Sequence, residues 1–365
     1  MRRFWQSAAL LLIVTSAASA QVFTPGNLVL YRIGDGSAAL TNASTGIFLD
    51  QFTPVGTFLN SVTIPNNVSA TALTGSGNST SEGALSRSVD GNYLLFAGYN
   101  SATGVASIAN SAASSVQRGA GRVDAFGNIS VSLLGATAFN GITGTAGNPR
   151  GATSTNGTDI WVSGTGTAGN GATWYTANGS GTGTQISTTT NNSRVPLVQN
   201  GTLYYSTGSG AQGIYSLGAP PTSGSATGTA VITAVAGQGT NPSTFTFSPN
   251  GAICYVADGN LGVQKFTFNG SVWSLAYNIT TPTTGVTGLV ADFSGTNPVL
   301  YAVNPGNLFS YTDIGAGAMT SIATAGTNTA FRGIAFAPVP EPTSILAVGV
   351  GTLVFGRWVR RRKGQ

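Results

Sequence analysis

Residues 21–338 predict an all-β fold, on three observations. Helical periodicity is nearly absent there, while short alternating apolar runs recur, bounded by Asn-Gly, Asp-Gly and Pro. A multi-strand unit with a turn glycine repeats: the glycines at 91, 157, 201, 251 and 295 stand 66, 44, 50 and 44 residues apart. Periods of roughly 40–50 residues with about four strands each mark propeller blades. Composition agrees. Charged residues make up only 7% and hydrophobic ones 41%, with Gly, Thr, Ser and Asn supplying the polarity, which fits extracellular β structure better than disorder.

In chain order, the first strands are Leu28-Val-Leu-Tyr-Arg-Ile33, Gly46-Ile-Phe-Leu49 and Thr57 to Ile64. Residues 69–81, rich in Ser, Thr, Gly and Asn, read as a loop. Five copies of the repeat follow. They run from Ala84 to Ala97 with Arg122 to Phe126, from Arg150 to Val162 with Ala172 to Tyr175, and from Arg194 to Tyr205 with Gly213 to Ser216. The last two run from Pro242 to Val256 with Gly262 to Phe266, and from Val286 to Val303 with Asn307 to Tyr311. Asn-Gly and Asp-Gly supply the positive φ of the tight turn between the first two strands. Segment 101–120 explains the one long gap as an insertion. Phe331 to Ala337 has the form of an inner strand, and joined to roughly 27–64 it would close the ring and leave no open edge. The expectation is six four-stranded blades, or seven if 101–148 forms its own. The competing architecture is a parallel β-helix, but these repeats are too long for single coils. The repeats look like the bacterial propellers of the YVTN or NHL kind, although the signature of neither is intact.

The ends read as addresses. Met1-Arg-Arg3, an apolar stretch from Ser7 to Val14, and Ala18-Ser19-Ala20 match a secretory signal peptide cut after Ala20, so residues 1–20 are set apart. Residues 339–365 form a second unit: Val339-Pro340-Glu341-Pro342, an uncharged run from Ser344 to Phe355, then Arg357 and the cluster Arg360, Arg361, Arg362 and Lys363. Counting Trp358 and Val359, about 17 residues are available, the lower limit for a spanning helix. A membrane helix is expected over about 343–359, with the basic tail 360–363 on the cytoplasmic side and the body outside. Each proline fixes φ near −65° (approximately), so the acid would be presented on a stiff, non-helical strand.

These three parts in order resemble the PEP-CTERM sorting domain of bacterial surface proteins, over residues 339–363 only. The resemblance implies a Gram-negative, exopolysaccharide-producing host. It also implies an exosortase, a membrane-embedded cysteine transpeptidase-like enzyme, cutting at or near the Pro-Glu-Pro. The apolar run is short and carries Gly349 and Gly351, a departure from the pattern.

The net charge of +5 misleads as to partners. Seven of the 15 cations lie in the two ends, and all ten acids lie in 21–342 against eight cations, so the body stands near −2. It has no basic stripe, and a nucleic-acid partner is not expected. No histidine is present, which removes Ser-His-Asp and Cys-His catalysis, and one cysteine removes intrachain disulfides and multi-thiolate zinc sites. Cys254 reads as a packed small hydrophobe. Asp35-Gly-Ser and Asp258-Gly-Asn260 lack the full calcium-loop pattern, and no metal or cofactor is expected. Asp90, Asp159, Asp258 and Asp292 sit at turns or strand ends, the reading preferred to a glycosidase carboxylate pair. Arg87, Arg150, Arg194 and Arg332 open inner strands, as structural arginines or as lining of a central channel. Trp161, Trp174 and Trp273 suit blade packing or sugar stacking. The sequence thus predicts a non-enzymatic, membrane-anchored exported scaffold, passing from the inner membrane to the cell surface or extracellular matrix. Exopolysaccharide or other surface proteins would be its partners. The alternatives are a glycan- or protein-binding propeller and a carbohydrate-active hydrolase or lyase.

Overall fold

The computed structural model describes residues 22–67, 69–233, 241–283 and 285–341. They form an all-β propeller in which the only helical turns are Ile108–Asn110 and Thr167–Gly169. The first sheet contains β1 (Leu28–Ile33), β2 (Ser44–Phe52), β3 (Phe58–Thr63), β4 (Thr74–Ser76), β5 (Ser86–Arg87), β6 (Tyr93–Tyr99), β7 (Arg118–Asp124) and β8 (Ile129–Leu133). β9 (Pro149–Ser154), β10 (Asp159–Gly164), β11 (Ala172–Ala177) and β12 (Thr184–Ser187) make the second. β13 (Pro196–Gln199), β14 (Thr202–Thr207), β15 (Gly213–Ser216) and β16 (Thr229–Thr233) make the third. The fourth has β17 (Pro242–Phe247), β18 (Ile253–Asp258), β19 (Gly262–Phe268) and β20 (Trp273–Thr280), with the short β24 (Gly317–Ala318) added in parallel. The fifth has β21 (Gly288–Asp292), β22 (Val299–Val303), β23 (Asn307–Thr312) and β25 (Thr320–Thr324). The last strand, β26 (Ala330–Phe336), returns to the first sheet and pairs antiparallel with β1, from Leu28 opposite Phe336 to Ile33 opposite Ala330.

The expectation of six or seven separate four-stranded blades is corrected by the sheet topology. There are five sheets: four are of blade size, and the first has nine strands in the order β26-β1-β2-β4-β6-β7-β8, with β3 on β2 and β5 on β6. The cause is β4, in the segment read as a loop. Thr74–Ser76 pairs with Ser44–Gly46 on one side and with Tyr99 on the other, fusing the strands around β1–β3 to those around β5–β8. All three β4 residues are buried. Thr74 Oγ1 shares a hydrogen bond with Ser101 Oγ (2.8 Å), and a Cβ at Gly75 would stand 2.7 Å from the Tyr31 hydroxyl. A buried strand of small polar residues carries no apolar alternation. The expected C-terminal transmembrane helix is not part of this fold: no helix among the described residues is long and apolar enough to cross a membrane. Residues 1–20 and 343–359, with Ala18, Ala20, Pro342, Arg357, Arg360, Arg361, Arg362 and Lys363, lie outside the described residues.

The turns after the inner strands share one device. In Ser88-Val-Asp90-Gly91 and Ser248-Pro-Asn250-Gly251 the serine hydroxyl donates to the side chain two residues on (2.6 and 2.7 Å), and the glycine N–H returns to the serine carbonyl (2.9 Å in both). Gly91, Gly157 and Gly251 take φ of +83°, +79° and +70°, while Asn200 and Gly201 are both positive, as a type I′ turn requires. Gly295 does not share the positive φ, so the fifth repeat turns differently.

The core lies between the two halves of the nine-stranded sheet and between adjacent sheets. Val29, Tyr31, Ile47, Leu49, Leu94 and Phe96 form one cluster, and Tyr255, Val263, Leu289, Leu300 and Phe309 another. Each fully buried Leu or Phe contributes about 1.5–3 kcal/mol. Around the axis, neighbouring inner strands are stitched by polar contacts: Ala84 N donates to Arg150 O (3.0 Å), Thr244 Oγ1 to Thr287 O (2.7 Å) and Thr287 Oγ1 to Arg332 O (3.1 Å). A Cβ at Gly333 would lie 2.4 Å from Gly83 O, so the approach of β26 to the segment before β5 requires glycine.

Candidate functional site

Two places bring chemistry-bearing residues together. The first is the tail. Beyond β26 the chain runs as a strap across the β5–β6 turn. Arg87 Nη1 donates to Ala337 O (3.2 Å) and Val339 N to Gly91 O (2.9 Å). Glu341 then accepts a hydrogen bond from the Tyr93 hydroxyl. Burial, and next this acceptor, push Tyr93 up to about 12, while the Arg122 guanidinium stands 4.4 Å from its ring centre. A cavity of about 220 Å³ lies between the strap and the β6 and β7 ends, lined by Asn92, Tyr93, Asp124, Phe126, Asn128, Val339, Pro340 and Glu341. Three of the four predicted sorting residues are therefore placed. They carry no regular secondary structure, and Glu341 is exposed.

The second is the end of the axis where inner strands begin. Arg150 and Arg332 are buried there (7% and 5% exposed) and Arg194 is half-buried. Arg332 Nη2 donates to Gly77 O (2.8 Å), while Arg150 Nη1 donates to Asn192 Oδ1 and to Ser193 O (3.1 Å). Of the four arginines singled out by sequence, Arg87 stands apart under the tail strap. Glu82, which the sequence reading passed over, is the buried acid of this end. It accepts from Ser76 N (3.0 Å), the Tyr99 hydroxyl (2.7 Å) and Asn148 Nδ2. Burial raises its carboxyl above the ordinary value against these three donors. Its one sequence signal was a lone acid in a Ser/Thr/Gly segment. Burial also raises the Tyr31 and Tyr99 hydroxyls, with Glu82's charge second.

The acids weighed for glycan hydrolysis are engaged separately. Asp90 holds Asn92 in its own turn, Asp159 accepts from the Tyr175 hydroxyl (2.7 Å), and Asp292 caps Ser294 N (2.9 Å). Asp258, fully buried, takes the N–H groups of Asn241, Asn260 and Leu261. Among the described residues no group of three or more His, Cys, Asp or Glu could hold a metal ion. Trp161 and Trp174 are buried, their indole N–H groups donating to Pro221 O (2.7 Å) and Gly171 O (3.1 Å). Trp273 packs on Phe247 and Phe268 at the outer edge. Cys254 is buried, and burial alone raises its thiol.

No family model matches the chain, and no curated protein sequence matches it. Solved structures are similar in fold. The nidogen/laminin complex contains a chain 11% identical, with 86% of this chain and 99% of that one covered and a TM-score of 0.50. A provisionally assigned 6-phosphogluconolactonase of Bacteroides uniformis is 16% identical over 83% of each chain, with a TM-score of 0.47. The periplasmic gluconolactonase of Pseudomonas aeruginosa is 14% identical over 82% of each, with a TM-score of 0.46. Such likeness places the chain among propellers and stops there.

Proposed function

We propose that this is an exported bacterial surface or matrix protein whose propeller is a non-catalytic scaffold, sorted by an exosortase-type enzyme that reads Val339 to Pro342. On this reading a leader ending at Ala20 directs export, the C-terminal segment holds the chain at the inner membrane until processing, and exopolysaccharide or surface proteins are its later partners. One observation carries the proposal: Pro340 and Glu341 lie directly beyond β26, outside every strand. A cut at or after Pro340 would leave the pairing of β26 with β1 whole, so the released body would keep its fold. The non-catalytic part is supported by the separate local engagements of Asp90, Asp159, Asp258 and Asp292.

The test replaces Pro340, Glu341 and Pro342 by Ala and follows the protein by immunoblot in membrane and medium fractions. Retention at the membrane is expected, and unchanged release would sink the sorting role. Incubation of the purified chain with gluconolactone should give hydrolysis no faster than buffer. Turnover above that background would overturn the scaffold reading.

A further inference from the structure

At the axial end, two arginines from neighbouring sheets lie close together, neither in an ion pair among the described residues. Arg150 lies near the start of β9, and Arg194 two residues before β13. Arg150 donates to the carbonyl of Ser193, so the two cations are neighbours, and Arg194's charge joins burial in lowering Arg150 to about 10. The ion pairs among the described residues are Arg32–Asp50 and Lys265–Asp313, so neither belongs to one. Arg150 is only 7% exposed, yet its Nε has no hydrogen-bond partner, and Arg194 Nε is likewise enclosed and unpartnered. Arg194's side chain donates to no described residue, so the forks of both arginines keep open donors. The nearest acids cannot serve them: Glu82 is taken by Ser76, Tyr99 and Asn148, and Asp258 by three backbone N–H groups. Arg118 shows the structural alternative. Its Nε is also orphaned, but its terminal nitrogens meet the carbonyls of Val116, Ala109, Ser111 and Gly147.

Desolvated donors left open beside a like charge are unfavourable unless an anion completes them. We propose that Arg150 and Arg194 form a binding site for a carboxylate monoanion. Neither guanidinium belongs to an ion pair among the described residues, so a single anionic group would complete the open donors. A planar carboxylate also matches a guanidinium fork. The site stands independently of the sorting role.

The test is isothermal titration of the purified full chain with sodium D-glucuronate, sodium acetate, sodium sulfate and glucose at matched ionic strength. Saturable one-to-one binding of a carboxylate is expected, with none of glucose. Arg194→Gln should weaken it by about tenfold or more, since charge-assisted bonds are lost, and Arg194→Lys should keep part of it. Arg194's side chain lies against Gly208 but makes no hydrogen bond to a described residue, so both variants should melt close to the parent. Glucuronate binding more tightly than acetate points to an acidic sugar as the source, and equal affinities to a small free acid. Absence of saturable carboxylate binding, preference for sulfate, or unchanged affinity in Arg194→Gln overturns the proposal.

Discussion

Asp313 fastens two neighbouring sheets, and its removal measures how much stability that fastening holds. Its side chain is 0% exposed and accepts from Lys265 Nζ at 2.7 Å and from the hydroxyls of Tyr255 and Tyr277. Asp313 follows β23, while its three partners lie on β18, β19 and β20 of the sheet before. Replacing it by Ala leaves Lys265, 16% exposed at its side chain, without a counter-ion. Breaking a buried pair from one side costs about 3–5 kcal/mol, and the partly exposed ammonium argues for the lower end. At about 1.5 °C per kcal/mol for a body of about 320 residues, the melting temperature should fall by roughly 4–6 °C in scanning calorimetry. Asp313→Asn combined with Lys265→Met should recover most of that loss, because no charge is left stranded. The pH dependence has a definite sign. Burial works to raise the Asp313 carboxyl, but its bonds to Lys265, Tyr255 and Tyr277 outweigh it and hold the carboxyl below 3.8. A depressed acid gives stability that is complete above 3.8 and lost as pH falls through the folded-state value. A loss under about 1 kcal/mol, or equally steep acid unfolding in parent and Asp313→Ala, would refute this reasoning.

Two further outcomes are expected. Tyr93→Phe removes the hold on Glu341, so the Val339 amide, which is bonded to Gly91 O (2.9 Å), should exchange its hydrogen several-fold faster while the body's melting temperature stays put. An unchanged exchange rate would mean that the Tyr93 contact does not restrain the tail. Glu82 has the opposite linkage to Asp313: its folded-state value is raised above 4.5, mainly by burial, so parent stability should decline as pH rises from 4.5 toward that value, and Glu82→Gln should flatten the slope in urea denaturation.

The strands and their turns were legible because alternation and Asn-Gly or Asp-Gly are local signals. The run Ile160-Trp-Val162 announces β10, and Ser248 to Gly251 announces its turn without help from the rest of the chain. β4 was invisible for the opposite reason. Thr74, Gly75 and Ser76 form a strand only because β2 and β6 supply partners on both sides, and that one strand turned separate blades into a nine-stranded sheet. Arg150, Arg194 and Arg332 could be placed at inner strands from their position in each repeat. Which of them is satisfied could not be read, since Gly77 lies 255 residues from Arg332. Tyr93 and Glu341, 248 residues apart, gave no sign of meeting.

Scarcity of charge explains why the axial pair stands out. All ten acids accept a hydrogen bond, but among the described residues only Asp50 and Asp313 accept one from a cation. The rest are answered by backbone N–H groups, hydroxyls and amides, while Arg87, Arg118 and Arg332 turn to carbonyls. Neutral partners for buried charge make a body whose stability should vary little with salt, because few interactions run between full charges. In such a chain a buried cation is normally matched by carbonyl oxygens, and Arg118, with four of them, shows that the fold can do this. Arg194, two residues before the inner strand β13, receives none among the described residues. Two cations side by side with open donors are therefore a departure from the chain's own rule, and an anion drawn from outside is what would restore it.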